Sequence, residues 1–320
     1  MWGRLYFAVQ AIAGSAWWVA VFASPFVREA TLGSLDPMAV AILDIPLFVG
    51  MSALAALGWR IAAVAATAWT IFVTVGLAIF ATLTSEAGWG VLLMVAAAVG
   101  SSVALSLMVI GRAPTEWIAA RRPFAFRVAD ARAATSAHLA ATAVQIVIFW
   151  GLFLGVLPLA LTFFEQRWAL AAPFPPFAAA AGLVLLLAAS ALGLWSAASM
   201  SSKGAGTPLP TAMPNRLVVA GPYRFVRNPM AIAGITQGFA VGLILSSWLV
   251  VAYAIAGSLL WNFVVRPLEE ADLEARFGDE FRRYRASVRC WWPRFTGASA
   301  GDRGRNRSLA APAREPLSRR

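Results

Sequence analysis

The feature that most constrains the fold of this chain is a series of apolar runs, each about 20 residues long, separated by short polar seams. A run of this length crosses a hydrocarbon core of about 30 Å as a helix, and lipid requires each crossing segment to satisfy its own backbone hydrogen bonds. Hydrophobic residues make up 60% of the 320 residues and charged residues only 13%, against about 25% charged in soluble domains. The sequence therefore predicts an all-α fold, a polytopic membrane helix bundle.

About eight transmembrane helices are predicted from these runs. They cover residues 6–23, 37–57, 61–83, 90–110, 137–164, 176–200, 231–246 and 248–265. The seams at 58–60 and 246–247 are typical of tight turns between antiparallel helices, although the second is also compatible with a re-entrant hairpin. The first helix is expected to be an uncleaved anchor. A signal peptide is the alternative, because Arg4 precedes an apolar run that ends in a possible small-residue cleavage site at Ala23.

The Lys and Arg residues predict the orientation, because basic loops stay on the cytoplasmic side. Residues 112–135 contain five Arg, and residues 203–228 contain Lys203 and three Arg, whereas the alternate loops carry one basic residue or none. Both termini are therefore expected on the cytoplasmic side, and the expected location is the cytoplasmic membrane of a bacterium.

Three regions are expected along the chain. Residues 1–135 form an N-terminal transmembrane region of four helices with a basic cytoplasmic loop, 136–294 form a second membrane domain, and 295–320 form a basic disordered tail. The net charge is +11, and the tail's arginines are expected to lie near anionic lipid headgroups, at about 1 kcal/mol per basic residue. No recognition helix or stacking platform accompanies them, so no nucleic-acid partner is predicted.

Few polar residues interrupt the apolar runs. Asp44 precedes Pro46 and either serves a proton path or caps the backbone that the proline frees. Gln145 is expected to make an interhelical hydrogen bond. Cys290 is the single cysteine, so neither an intramolecular disulfide nor a thiolate zinc site is possible; it is expected to be an interfacial thiol.

A polar stretch, Gly-Pro-Tyr-Arg-Phe-Val-Arg-Asn-Pro at 221–229, precedes the seventh run. Arg224 and Arg227 lie three residues apart, so one helical turn would present both guanidiniums on one side, where they suit a carboxylate or phosphate. Asn228 precedes Pro229, which suits the first turn of a helix whose dipole favours anions. The same arginines also fit a simple positive-inside stop signal.

A second polar cluster follows the eighth run. Residues 269, 273, 277, 281, 284 and 288 have helical spacing and fall on one face. This pattern predicts a C-terminal amphipathic cytosolic helix that lies on the membrane surface or folds over the bundle, with Glu269 on its buried edge and Glu270 about 100° around. Arginines at one end and acids at the other suit a zwitterion. No metal is predicted, because two carboxylates without a His provide too few ligands for a metal site.

These blocks together resemble the membrane methyltransferases related to isoprenylcysteine carboxyl methyltransferase and the phospholipid methyltransferases. The resemblance rests on Thr207-Pro208, residues 216–229, Glu269-Glu270, Phe277-Gly278, Tyr284 and Pro293. It covers about ninety residues from Lys203 to Arg294 and implies an S-adenosylmethionine pocket on the cytosolic side. Asn228 stands where the family has His, and Ala231 where it often has an aromatic residue.

The resemblance also implies roles for individual residues. Glu269 and Glu270 are implied both to bind the cofactor and to be catalytic, and Arg266 is implied to be catalytic near the methyl acceptor. The other implied cofactor-binding residues are Gly221, Tyr223, Arg224, Arg227, Asn228 and Pro229.

The leading hypothesis is an integral membrane methyltransferase that uses S-adenosylmethionine on a lipophilic or membrane-delivered acceptor, such as an isoprenylcysteine-like carboxylate, an amine or a thiol. A carboxylate acceptor needs no base, whereas an amine or thiol must lose a proton, for which Glu269 and Glu270 are the nearby candidates. The alternatives are a sterol-reductase relative, a transporter, or a non-catalytic membrane protein that retains the fold.

Overall fold

The computed structural model describes residues 1–112, 135–207 and 214–293. The predicted disordered tail, nearly all of the predicted basic loop at 112–135 and the middle of the loop at 203–228 lie outside these residues. The described residues form helices and connecting turns and contain no strand. The helices are α1 (Trp2–Ala23), α2 (Pro25–Leu32), α3 (Pro37–Ala56), α4 (Arg60–Thr84), α5 (Gly88–Val109), α6 (Thr135–Trp150, continuing through Gly151–Val156 into Leu157–Arg167), α7 (Ala178–Gly204), α8 (Pro229–Ile244) and α9 (Trp248–Ser287).

The predicted all-α membrane bundle is confirmed. Seven of the described helices are long and apolar enough to cross a membrane, and α8 is a shorter apolar helix of 16 residues. Sixteen residues span about 24 Å, less than a hydrocarbon core. The predicted seventh run, residues 231–246, has the observed length and is displaced by two residues: Pro229 fixes the start of the helix, and a turn at residues 245–247 ends it.

The predicted C-terminal amphipathic helix exists, but it is not a separate element. It is the Arg266–Ser287 part of α9 and continues the last span through a π-helical turn at Trp261–Val265. Half of its 22 residues are charged, so this part lies outside the apolar span. The predicted buried face is confirmed, with Phe281 buried, but the helix is broken at Gly278, where φ is 52° and ψ is −123°.

Helices α1, α3, α4 and α5 pack together through small residues. Ala55, Ala63 and Ala66 are completely buried around Phe7, which is how membrane helices achieve close approach. The Asp44 carboxylate accepts hydrogen bonds from Trp18 Nε1 at 2.9 Å and Trp69 Nε1 at 2.8 Å. It joins three helices.

The short helix α2 was not predicted. Its start nevertheless has a recognisable signal, because the Ser24 side chain accepts a hydrogen bond from Val27 N and Pro25 occupies the first turn.

Helices α7, α8 and α9 form a second packed group, with α8 in the middle. Glycines make the contacts: a Cβ at Gly182 would lie 2.7 Å from Ala240 O, and a Cβ at Gly238 would lie 3.2 Å from Ala254 Cβ. Buried Ala233 and Ala240 of α8 have no bulk that would separate the helices. The short α8 is therefore held by protein on both sides.

The end of α6 ties the two groups together. Glu165 is 1% exposed and accepts hydrogen bonds from Ser247 Oγ and Leu249 N at the start of α9. Two residues on, Arg167 donates to Thr82 O, Leu83 O and Ser85 Oγ at the end of α4. One carboxylate thus caps an N-terminus and one guanidinium caps a C-terminus.

Candidate functional site

A cavity of about 600 Å³ lies among α6, α7, α8 and α9 and reaches the loop before α8. One end is polar and is lined by Tyr223, Arg227, Asn228, Glu269 and Tyr284. The rest is mainly apolar and aromatic, with Phe149, Trp150, Phe153, Leu260 and Trp261 on its walls. The cavity therefore offers one charged compartment and one lipophilic compartment.

Gly221 sets the course of the loop at the polar end. Its φ is +60°, a conformation that side chains disfavour, and a Cβ there would collide with Ser199 Oγ on α7. Only glycine allows the backbone to approach α7 this closely. The following single 3₁₀ turn, Gly221–Arg224, buries Pro222 and Tyr223.

The C-terminal part of α9 holds this loop in place. Tyr284 Oη donates a 2.6 Å hydrogen bond to the Tyr223 carbonyl, and Arg276 donates to the Pro214 carbonyl. Burial raises the pKa of both the Tyr223 and Tyr284 phenols, so both remain neutral. The two sequence blocks predicted to form one pocket are thus joined directly.

Arg227 and Glu270 form the closest charged contact between these blocks. Arg227 Nη2 lies 3.3 Å from Glu270 Oε1, and both side chains are mostly buried. Neither Arg227 Nε nor Glu270 Oε1 has a hydrogen-bond partner among the described residues. The pair therefore retains hydrogen-bonding capacity of both signs for a ligand.

Glu269 lines the cavity beside this pair. Burial, with smaller contributions from the neighbouring charges of Glu270 and Asp272, raises its pKa to about 7. A carboxyl with such a pKa changes charge near neutral pH and is suited to exchange a proton or to receive a cation.

The other predicted site residues differ in their placement. Asn228 lines the cavity and its Nδ2 lies 3.4 Å from Cys290 Sγ, while Pro229 is buried at the start of α8. Arg266 does not line the cavity, although its Nε is buried without a hydrogen-bond partner in the described part of the chain. Arg224 is exposed with its guanidinium 4.6 Å from the Phe225 ring centroid. The expected pairing of Arg224 and Arg227 on one side is therefore wrong, because no regular helical turn connects them.

The segment after α9 closes the polar end from outside. Arg289 O accepts a 3.0 Å hydrogen bond from Arg227 N, and Trp291 Nε1 donates to Asn262 Oδ1 at 3.2 Å. Cys290 is buried between these contacts. The cysteine is thus packed against the candidate site.

The sequence prediction missed the α6 wall of the cavity. The residues of this wall recur every three or four positions along one helical face: Thr142, Gln145, Ile146, Phe149, Trp150, Phe153 and Leu154. Two polar residues, Thr142 and Gln145, share one helical face with large aromatic residues, and this pattern could have indicated a cavity wall. It was obscured because the lipid-facing side of the same helix, including Val144 and Val147, is equally apolar.

Comparison with known proteins gives one match. The family model described as phospholipid methyltransferase matches residues 177–280, which include α7, α8, the intervening loop and the α9 segment with Glu269 and Glu270. No curated protein and no solved structure matches the chain. The matched region is about a third of the chain and carries the polar end of the cavity; over this region the chain is similar to the phospholipid methyltransferase family.

Proposed function

We propose that the cavity binds S-adenosylmethionine at its polar end and a lipophilic methyl acceptor in its apolar part, so that the protein is an S-adenosylmethionine-dependent methyltransferase embedded in the membrane. The observation that carries the proposal is the Arg227–Glu270 contact at 3.3 Å. It brings the two sequence blocks together at one end of a cavity that continues between apolar helices.

The residues at the polar end fit the cofactor's charged groups. Arg227 lines the cavity and has a buried Nε without a hydrogen-bond partner among the described residues, which can donate to a carboxylate. Glu270 does not itself line the cavity; its Oε1 contacts Arg227 as an ion pair without a hydrogen bond and can accept one from an ammonium. Glu269 offers a second carboxyl to the cationic part of the ligand. When bound, the cofactor supplies an electrophilic methyl group on a sulfonium.

The chain's own contribution is alignment, dehydration and proton exchange. Trp150, Phe153 and Trp261 line the apolar part of the cavity and exclude water from a nucleophile there, which a displacement reaction requires. If the acceptor is an amine or a thiol, the Glu269 carboxylate takes its proton, since a pKa of about 7 suits a general base at neutral pH. A carboxylate acceptor needs no such step.

The apolar part of the cavity is accessible from the lipid. Leu260 lines the cavity yet is 51% exposed, so the wall at this point is also part of the lipid-facing surface. Further from the polar end, two contacts join α6 to α9. Glu165 of α6 accepts a hydrogen bond from Leu249 N of α9, and Tyr253 Oη of α9 lies 3.4 Å from Phe153 O of α6. The helices are joined there, and an acceptor would enter between them nearer to Leu260.

Orientation is part of the same proposal. The polar end faces the cytoplasm, where the cofactor is made, and both termini lie on that side. Accessibility of single cysteines introduced at the exposed Glu280 and at exposed Phe177 tests this in sealed vesicles: we expect labelling from opposite sides. Labelling of both from one side would contradict the orientation.

Cofactor binding to the purified full-length protein in nanodiscs tests the function. We expect wild-type protein to bind S-adenosylmethionine, and Arg227→Ala and Glu270→Gln each to weaken binding at least tenfold, since hydrogen bonds to charged groups contribute about 1.5–3 kcal/mol. Arg282→Ala and Glu280→Gln, exposed positions of the same types on α9, are the controls and should not change affinity. Absence of binding to wild-type protein would refute the proposal and favour a non-catalytic membrane protein.

A further inference from the structure

Gln145 carries a buried polar group that the proposed reaction does not use. It lies on the cavity wall, and its Oε1 is buried without a hydrogen-bond partner among the described residues. The interhelical hydrogen bond expected for Gln145 is therefore not made by this oxygen.

Two other polar side chains that line the cavity away from the Arg227–Glu270 pair do have partners. Thr142 Oγ1 lies 2.8 Å from Ser201 Oγ, and Gln237 Nε2 donates to Ser190 Oγ at 3.0 Å. A buried acceptor without a donor is unfavourable, and an apolar residue of similar shape would avoid that cost. Gln145 thus differs from its neighbours in a way that internal packing does not explain.

The position of Gln145 along the cavity can be derived from its helix neighbours. One turn towards the polar end, Thr142 is level with Ser201 of α7. Just over one turn in the other direction, Trp150 is level with Gly193 and Ala233, since a Cβ at Gly193 would lie 4.0 Å from the Trp150 ring and 3.4 Å from Ala233 Cβ. Gln145 therefore lies at the boundary between the polar end and the aromatic part of the cavity.

We propose that Gln145 Oε1 is a binding subsite for an uncharged hydrogen-bond donor, a hydroxyl or an amide N–H, on the head group of an amphiphile whose chain lies among Phe149, Phe153 and Trp261. This deepens the proposed function, on which the identity of the amphiphile as methyl acceptor rests. An ionised carboxylate has no proton to donate to this oxygen, and a plain hydrocarbon leaves it unpaired. The subsite therefore selects for a head group that can donate a hydrogen bond.

Photoaffinity labelling tests the subsite without requiring the cofactor. The full-length protein in phosphatidylcholine nanodiscs is labelled with hexadecanol carrying a diazirine in its chain, and in parallel with the methyl ether of the same alcohol, which can accept but not donate a hydrogen bond. Labelled peptides of α6 and α9 are quantified by mass spectrometry. We expect the alcohol to label wild-type protein about fivefold more than the ether, the effect of one hydrogen bond.

The variant Gln145→Met keeps the side chain's length and removes the amide oxygen, and we expect it to reduce the ratio to about one. Val144→Leu, on the lipid-facing side of the same helix, is the control and should keep the wild-type ratio. Thermal melting of Gln145→Met separates a ligand subsite from a structural hydrogen bond: a melting temperature equal to or above that of wild type supports the subsite.

Equal labelling by the alcohol and the ether in wild-type protein would overturn the proposal, as would a ratio that survives in Gln145→Met. A lower melting temperature of this variant together with an unchanged ratio would assign Gln145 to the fold. Cofactor binding is measured on the same samples. A preference for the alcohol without cofactor binding refutes the methyltransferase function alone, and cofactor binding without the preference refutes the subsite alone.

Discussion

The raised pKa of Glu269 predicts that the proposed binding of S-adenosylmethionine depends on pH. Burial among apolar groups and the adjacent carboxylates raise this pKa to about 7 from an ordinary 4.5. A cationic ligand beside Glu269 favours the ionised carboxylate, so binding below pH 7 requires the loss of a proton. We therefore expect affinity for S-adenosylmethionine to increase as the pH rises through the pKa.

The magnitude follows from the ionised fraction. With a pKa of about 7, roughly one tenth of the Glu269 carboxyls are ionised at pH 6 and roughly nine tenths at pH 8. If only the ionised form binds the ligand, the dissociation constant falls about tenfold between these two values. The variant Glu269→Gln has no such titration, and its affinity should be the same at both pH values apart from the ligand's own ionisation.

The assay is equilibrium binding of labelled S-adenosylmethionine in nanodiscs at pH 6, 7 and 8, for wild-type protein and for Glu269→Gln. The pH dependence of the variant is subtracted, so that proton loss from the ligand does not contribute. Glu280→Gln, an exposed carboxylate on the same helix, is the control and should retain the tenfold change. An identical pH dependence in wild type and Glu269→Gln would refute the reasoning.

The same Glu269 variant and three other substitutions give further predictions. Glu269→Gln should stabilise the ligand-free protein at pH 8 by up to about 3 kcal/mol and leave it unchanged at pH 4, because a raised carboxyl pKa costs stability as pH rises from 4.5 to about 7; melting at the two pH values measures this. Tyr284→Phe leaves the Tyr223 carbonyl without its donor and should cost about 1–3 kcal/mol and weaken cofactor binding, and unchanged binding would contradict the loop's role. Gly221→Ala should lower the melting temperature, with partial recovery in Gly221→Ala/Ser199→Gly, because the new Cβ collides with Ser199. Glu165→Gln should cost about 1–2 kcal/mol at the start of α9 without changing cofactor affinity; an effect on binding alone would show that Glu165 acts on the site rather than on the fold.

Much of the fold was predictable because lipid permits few solutions. Apolar runs near 20 residues must be helices, and the turn at residues 58–60 is where the sequence placed it. The turn at residues 246–247 was also placed by the sequence, and Ser246 there has a φ of 49°; the start of α8 at Pro229, two residues before the predicted one, was not. The sequence showed an apolar run followed by an amphipathic helix, and not that the two are continuous; Pro267 is accommodated just after the π-helical turn that joins them.

The candidate site was predictable where charge is rare. Arg227, Asn228 and Glu269 stand out in an apolar sequence, and all three line the cavity. Arg224 is an arginine in the same polar stretch as Arg227, yet it is exposed, because the loop turns after the 3₁₀ segment. Charge alone could not distinguish these two arginines; the difference comes from the positive φ of Gly221 and the contact between Tyr284 and Tyr223.

The contact between Arg227 and Glu270 limits the ligands that can bind to them. Removing one member of a buried ion pair leaves the other charge uncompensated, which is strongly unfavourable. A ligand with only a cation, or only an anion, would leave one of the two residues in that state. A ligand that carries a carboxylate and an ammonium together can replace both halves of the pair at once. The methionine part of S-adenosylmethionine has this combination, so the same ion pair that neutralises the ligand-free site also favours a zwitterion over a singly charged ligand.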